Sequence, residues 1–355
     1  MPHQPLSLSL QVDTCPAYEF VLSLAVWSDA RGHASYEVDT GWFDAIRTQA
    51  SPELLGDIEA FAQHCDMVWA HLISPAYECP QPRDVPTFLA YLKTLDAMEV
   101  KLRLLGYYVR YFRRATPPAV MAAAAAGDHE AQQQFLQTSY PDNATWQAAL
   151  AHLLPLTPAE IMSQLMQILE RWYQEVFQAQ EPRLLPILER DAEATRLLAP
   201  TLSVERLIET VTNGWEYVPE PGIRQVLLIP SVVIRPIIHW FDHHEVKIIA
   251  YPVSDESMTA EGDTPPPRLV RILKALGDES RLRILRRLEA EPSTLQQLAT
   301  HFGVSKTLMH HHIAALRKAG LIQVREGNYQ VYGLRRDTVA ALGTLLTKYL
   351  ESSSD

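Results

Sequence analysis

The sequence predicts a mainly α protein of the α+β class in two parts. The first is a large helical N-terminal domain with a small antiparallel sheet, and the second a smaller C-terminal domain of helices and one hairpin. Three observations carry this prediction. Amphipathic helical patterns dominate residues 16–215, short β-branched runs interrupted by proline occupy 224–253, and a polar stretch with three prolines, Ser257-Met-Thr-Ala-Glu-Gly-Asp-Thr-Pro-Pro-Pro267, precedes a compact helical tail. The predicted boundaries are 1–256 for the first domain, 257–267 for the linker and 268–355 for the second.

In the first part, helices are expected over Ala17 to Trp27, Pro52 to His71, Val85 to Tyr108, Pro158 to Gln178 and Arg183 to Leu198. Several open on proline or on Ser, Asp or Thr, which suit the first turn of a helix. The runs Val226-Leu-Leu-Ile-Pro230, Val232-Val-Ile234 and Val246-Lys-Ile-Ile-Ala-Tyr-Pro-Val253 read as strands, with Pro230 and Pro236 at edges or bends. At 355 residues and 47% hydrophobic content the chain has enough material for two cores. The cysteines Cys15, Cys65 and Cys79 are far apart and form no CxxC pair, so free thiols in a reducing compartment are expected. No long uncharged apolar run and no basic-then-apolar N-terminus is visible, and a cytoplasmic location is the expectation.

After the linker, Ser293 with Gln296 three residues later has the spacing of a capping box, followed by an apolar stripe at Leu295, Leu298 and Phe302. Gly303-Val304 reads as a tight turn into a second helix. At about 100° per residue, Met309, Ile313 and Leu316 fall within an arc of about 60°, forming a buried stripe. Thr307, His311, Ala314 and Lys318 then point outward, with Ser305 as N-cap and Gly320 as the residue that ends the helix. Leu321 to Glu326 and Tyr329 to Leu334 flank Gly327-Asn328, a pair that tolerates the positive φ of a two-residue hairpin loop. Asp337 is read as the cap of a last helix whose apolar positions are Val339, Leu342, Leu345, Leu346 and Leu350.

Two crossed helices followed by a hairpin form a winged helix-turn-helix, and residues 268–350 resemble the ArsR-like winged-helix regulators. The likeness rests on Leu273-Lys-Ala-Leu-Gly-Asp-Glu-Ser-Arg-Leu-Arg-Ile-Leu285, on Val304-Ser305, on His311-His312 and on Leu316-Arg-Lys-Ala-Gly-Leu321. The resemblance implies a homodimer, formed by the first and last helices of this domain, that binds a palindromic operator and represses or activates. The paired cysteines of the family's best-known metal sensors have no counterpart in Ser293-Thr-Leu-Gln-Gln-Leu-Ala299, so thiolate metal sensing there is excluded. A looser likeness, through Asp13 to Phe20 and Leu228 to Ser231, is to family members with a long helical N-terminal extension that regulates or dimerises.

The charge distribution fits this division. The chain carries −11 overall, but residues 268–355 hold 14 Lys/Arg against 8 Asp/Glu, leaving the remainder strongly acidic. A local positive field is what phosphate binding requires. The candidate DNA contacts are Ser305, Lys306, Thr307, His310 and His311 on the second helix, Arg317 as a phosphate contact, and Arg325, Asn328 and Tyr329 on the wing, with Arg335 and Arg336 in reserve.

Other clusters of reactive side chains have plainer readings. His310, His311 and His312 fan around a helix and cannot converge on one ion. His239-Trp-Phe-Asp-His-His-Glu245 holds the metal candidates His239, His243 and His244, but it lies between strand-like runs and is read as an exposed turn or a dimer contact. The seven tryptophans and Tyr107, Tyr108, Tyr111 and Phe112 are read as core before pocket lining, and Arg110, Arg113 and Arg114 as a solvated face. No phosphate-cradling glycine loop, G-x-S-x-G or H-E-x-x-H occurs, so no catalytic role and no cofactor are expected. The resulting expectation is a DNA-binding transcriptional regulator acting on double-stranded DNA, open to a small-molecule effector and with no membrane association. The alternatives are an enzyme or a protein-interaction protein carrying a winged-helix appendage.

Overall fold

The computed structural model describes residues 8–29, 32–38, 40–109, 115–258, 265–325 and 330–351. The chain divides into two compact units, Met1–Ala192 with Ile223–Pro252, and Glu193–Gly222 with Val253–Asp355. The units interleave along the sequence. Residues 193–222, expected in the first domain, belong to the second unit, and the strand region 223–252 returns to the first. In chain order the strands are β1 (Ser9–Val12), β2 (Trp215–Glu216), β3 (Gln225–Ser231), β4 (His239–His243), β5 (Val246–Pro252), β6 (Ser293–Thr294), β7 (Ile322–Arg325) and β8 (Val331–Leu334).

The helices of the first unit are α1 (Pro16–Trp27), α2 (Thr40–Gln49), α3 (Pro52–Ala62), α4 (Asp66–Ala70), α5 (Ile73–Glu78), α6 (Val85–Thr94), α7 (Ala97–Leu104), α8 (Pro118–Ala125), α9 (His129–Thr138), α10 (Ala144–Leu153), α11 (Pro158–Trp172) and most of α12 (Glu181–Leu198). The expected helix over Pro52 to His71 is two helices, because Gln63 and His64 take left-handed φ of 51° and 58°. The one over Val85 to Tyr108 breaks where Asp96 caps α7, its Oδ1 accepting from the backbone N–H groups of Met98 and Glu99. α11 continues into a π-helical turn, Tyr173–Phe177. No helix of the described residues is long and apolar enough to cross a membrane.

α1 is the centre of this unit. Every residue from Ala17 to Val26 is buried, as expected of a helix that is apolar almost all round. Its buried polar side chains, Tyr18, Glu19 and Ser23, each make hydrogen bonds, and the Tyr18 hydroxyl donates to Asp13 Oδ2 at 3.1 Å. Ser23 Oγ accepts from Trp172 Nε1 at 3.0 Å, and Glu19 Oε1 accepts from the N–H groups of Val232 and Val233, each at 2.9 Å. Trp69, Trp146 and Trp172 are fully buried, and Trp69 and Trp146 donate to Ser28 and Ser139. These three indoles are core. The three cysteines are free and buried. Tyr111, Phe112, Arg110, Arg113 and Arg114 lie outside the described residues.

The sheet of the first unit has the order β1-β3-β5-β4. β1 with β3 and β3 with β5 are parallel, and only β4 with β5 is antiparallel. The antiparallel sheet expected from the sequence is therefore corrected to a mixed one. Strands buried on both faces, as Val226–Ile229 and Ile248–Tyr251 are, show continuous apolar runs without the alternation that marks a half-exposed antiparallel strand.

The second unit contains the end of α12, then α13 (Val204–Val211), α14 (Pro267–Leu276), α15 (Glu279–Ala290), α16 (Leu295–Phe302), α17 (Lys306–Lys318) and α18 (Arg336–Glu351). Its sheet has the order β2-β7-β8-β6, with β7–β8 the antiparallel wing hairpin and β2 parallel to the outer edge of β7. Gly214, at φ 103°, brings the chain to that edge in a space where a Cβ would lie 2.4 Å from Arg335 Cδ and 2.9 Å from the Ile322 carbonyl oxygen. The capping box of α16 is Thr294 with Gln297, one residue later than expected. Ser293 and Thr294 pair with Tyr332 and Val331 as β6, so the helix cannot begin until Leu295. Asp337 is not a cap; it lies inside the first turn of α18 and pairs with Arg206 of α13.

Burial pushes the Glu19 carboxyl up from its ordinary value of 4.5 to about 7, against the two N–H bonds that favour the anion. Between those values the folded protein holds a proton that the unfolded chain has released. Stability is therefore expected to fall as pH rises from about 4.5 to about 7, by something on the order of 3 kcal/mol. Urea unfolding at pH 5 and pH 8 checks this. Glu19→Gln, neutral and still able to accept both N–H bonds, should remove that share of the pH dependence; an unchanged dependence in the variant would count against it.

Candidate nucleic-acid interface

The geometry of the interface follows from how α17 is seated. Met309, Ile313 and Leu316 are 1%, 2% and 0% exposed, which fixes the rotation of the helix. Ser305 caps it, its Oγ accepting from Leu308 N at 3.2 Å. Gly303, at φ 65°, ends α16 in the left-handed conformation and makes the turn between the two helices, while Gly320, at φ 66°, follows α17. α16 and α17 pack on each other, and α14 and α15 back α17 from within.

Ser305, Lys306, Thr307, His310 and His311 are all exposed on the first two turns of α17. Ala314 and Lys318, one and two turns on, are half-exposed, and His312 is half-buried on the inner flank. The rings of His310 and His311 stand 6.5 Å apart at 75°, edge to face. An exposed helix start that carries hydroxyl, ammonium and imidazole groups can present donors to both phosphates and base edges.

Leu308 is the exposed residue that the wheel did not single out. It is 45% exposed, beside Thr307 and one turn before His311. The signal was an apolar residue lying off the buried stripe, a position from which a methyl group can meet a thymine methyl.

Two of the remaining candidates, Arg317 and Arg325, are held by neighbours from 193–222. The Arg317 guanidinium lies 5.6 Å from the ring centre of Trp215, a cation–π arrangement. Arg325, the last residue of β7, is ion-paired with Glu216. For these two, phosphate contact requires exchange of an existing partner. Arg335 donates to the Gly320 carbonyl at 3.4 Å and so braces the end of α17, and Arg336 pairs with Glu289. Asn328 and Tyr329 lie outside the described residues. Sequence periodicity missed the contribution of 193–222, because β2 is only two residues long; Trp215, directly after Gly214, was its one visible mark.

The metal candidates are separated by the fold. His239 and His243 sit four residues apart on strand β4, about 13 Å at the usual rise per residue, and so cannot share an ion as they could one helical turn apart. His243 and His244 instead approach Glu78. His239 stacks on Phe241.

A family model described as a helix-turn-helix domain matches residues 276–325, which span the end of α14 to the end of β7. No curated protein and no solved structure is significantly similar to the chain. The matched segment contains α16, its turn and α17, so the second unit carries a helix-turn-helix domain of the kind that binds DNA.

Proposed function

We propose that this protein is a sequence-specific transcriptional regulator of the ArsR-like kind, acting in the cytoplasm as a homodimer on a palindromic operator. The observation that carries the reading is the polar, exposed start of α17 on a fully seated apolar stripe, within a helix-turn-helix domain. Lys306, Thr307, His310 and His311 face the major groove, and the wing follows the adjacent backbone. Val339, Leu346 and Leu350 of α18 and Leu273 of α14 are exposed large apolar groups on two helices that pack together, and a second copy of the chain is the partner that covers them. The dimer sets two copies of α17 at a half-site spacing of about 34 Å, one duplex turn. The first unit has a modulating role, with no catalytic step assigned to it, and a small-molecule effector would act by shifting the half-site spacing.

The test is selection of bound sequences from random duplexes at two salt concentrations, with the full chain. One enriched palindrome and a steep fall in affinity with salt are expected; binding without enrichment would overturn the reading. Replacing Lys306 and His311 together by Ala is expected to cost at least about 10-fold in preference for the selected site over a scrambled one, with the unfolding midpoint retained. Preference that survives the double change would mean that another surface reads the DNA. Substituting deoxyuridine for single thymines in the selected site should weaken wild-type binding about fourfold at the position facing Leu308, the worth of one buried methyl. Leu308→Ala should be insensitive to the same change. Equal sensitivity in both proteins would remove Leu308 from the interface.

A further inference from the structure

The turn between β4 and β5, in the first unit, gathers chemistry that DNA binding does not use. Glu78 is the last residue of α5, His243 the last of β4, and His244 follows in the left-handed conformation at φ 49°. One donor atom from each of the three lies within 4.8 Å of the other two, and His243 Nδ1 is 3.6 Å from Glu78 Oε1. A tetrahedral ion with bonds of about 2.0–2.1 Å to imidazole nitrogen and carboxylate oxygen holds its ligand atoms about 3.3 Å apart. Small side-chain rotations close the difference.

The groups behind these three hold them in place. Arg103 donates to Glu78 Oε1 at 3.0 Å, to Glu99 Oε1 at 2.9 Å and to Ser74 Oγ at 3.3 Å. Ser74 Oγ, one helical turn before Glu78, lies 2.7 Å from His243 Nδ1, a contact that an ion bound at Nδ1 displaces, leaving Ser74 its bond from Arg103. Tyr91 donates to Glu78 Oε2 at 3.2 Å, and Tyr77 and Tyr108 set their rings edge-on to His243 and His244. Each carboxylate oxygen has two lone pairs, so the bonds from Arg103 and Tyr91 leave one on each oxygen for a metal. Glu78 and Glu99 set two carboxylates against the single guanidinium of Arg103. His244 is exposed and gives it an approach from solvent.

We propose that Glu78, His243 and His244 form a binding site for a divalent cation of the zinc class. Two imidazoles and one carboxylate are a borderline donor set that suits zinc over calcium or magnesium, which take oxygen ligands. Three protein ligands leave a fourth position for water or another donor. The bound ion ties α5 to the β4–β5 turn, and the outer bonds from Arg103 and Tyr91 orient the carboxylate toward it.

The test uses the full chain, stripped of metal and titrated with zinc against a chromophoric chelator, with thermal unfolding followed in parallel. One zinc per chain is expected from this site, with a rise in the unfolding temperature. His244→Asn, which keeps a side chain that tolerates positive φ, and Glu78→Gln should each bind zinc at least about 10-fold more weakly and lose the thermal rise. Because exposed imidazoles bind zinc weakly, the variant with the exposed His310 and His311 of α17 changed to Ala serves as control and should retain the tight site. Wild-type protein that binds no zinc, or His244→Asn and Glu78→Gln variants that both bind it as wild type does, would overturn the proposal. None of these readouts involves DNA, so they stand apart from the operator test.

Discussion

The constraint on which the second unit depends is the burial of one narrow stripe, Met309, Ile313 and Leu316, on α17. A helix of 13 residues has little stability alone, and its rotation is set by the apolar face that it removes from water. Once those three side chains are inside, Lys306, Thr307 and His311 have nowhere to go but out. The same seating places Leu308 in solvent, where an apolar group is costly unless something covers it. The ends of the helix are closed by Ser305 and by the chain reversal at Gly320, which Arg335 braces through the Gly320 carbonyl.

A second constraint is that an exposed strand edge leaves unpaired backbone groups. Here β2 covers the outer edge of β7, and that cover brings side chains with it. Trp215 sits under Arg317 and Glu216 pairs with Arg325, so two of the candidate phosphate contacts already have partners. The positive surplus of residues 268–355 is thus moderated by a segment, 193–222, that holds 2 Lys/Arg against 5 Asp/Glu. Charge read along the sequence overstated the positive field of the unit, because the segment that tempers it lies far upstream of the linker.

The first unit obeys the same accounting of buried polar groups in a different setting. α1 can be enclosed on all sides because Glu19 and Ser23 meet donors from β3's end and from Trp172. Satisfying the Val232 and Val233 N–H groups with a carboxylate ties the centre of the helical body to its sheet. Around Glu78, Arg103 links three elements in one network whose outer edge is the histidine pair.

The amino-acid sequence by itself determined the helix-turn-helix, since every signal for it is local: a 3.6-residue stripe, a capping hydroxyl, glycines at the turns and a hairpin with its polar tip. It also determined that the rest is mainly helical, and it located the strands β3 and β5. Only the tertiary structure decided that these strands run parallel: a continuous apolar run marks a strand buried on both faces, and the direction then depends on the path between the strands. Likewise it moved the α16 cap by one residue to let β6 pair, and it recruited β2 from 193–222. It also replaced His239 by Glu78 beside His243. Residues 78 and 243 lie 165 positions apart in the chain, and no spacing rule reaches across such a distance; a sheet turn packed on a helix end does.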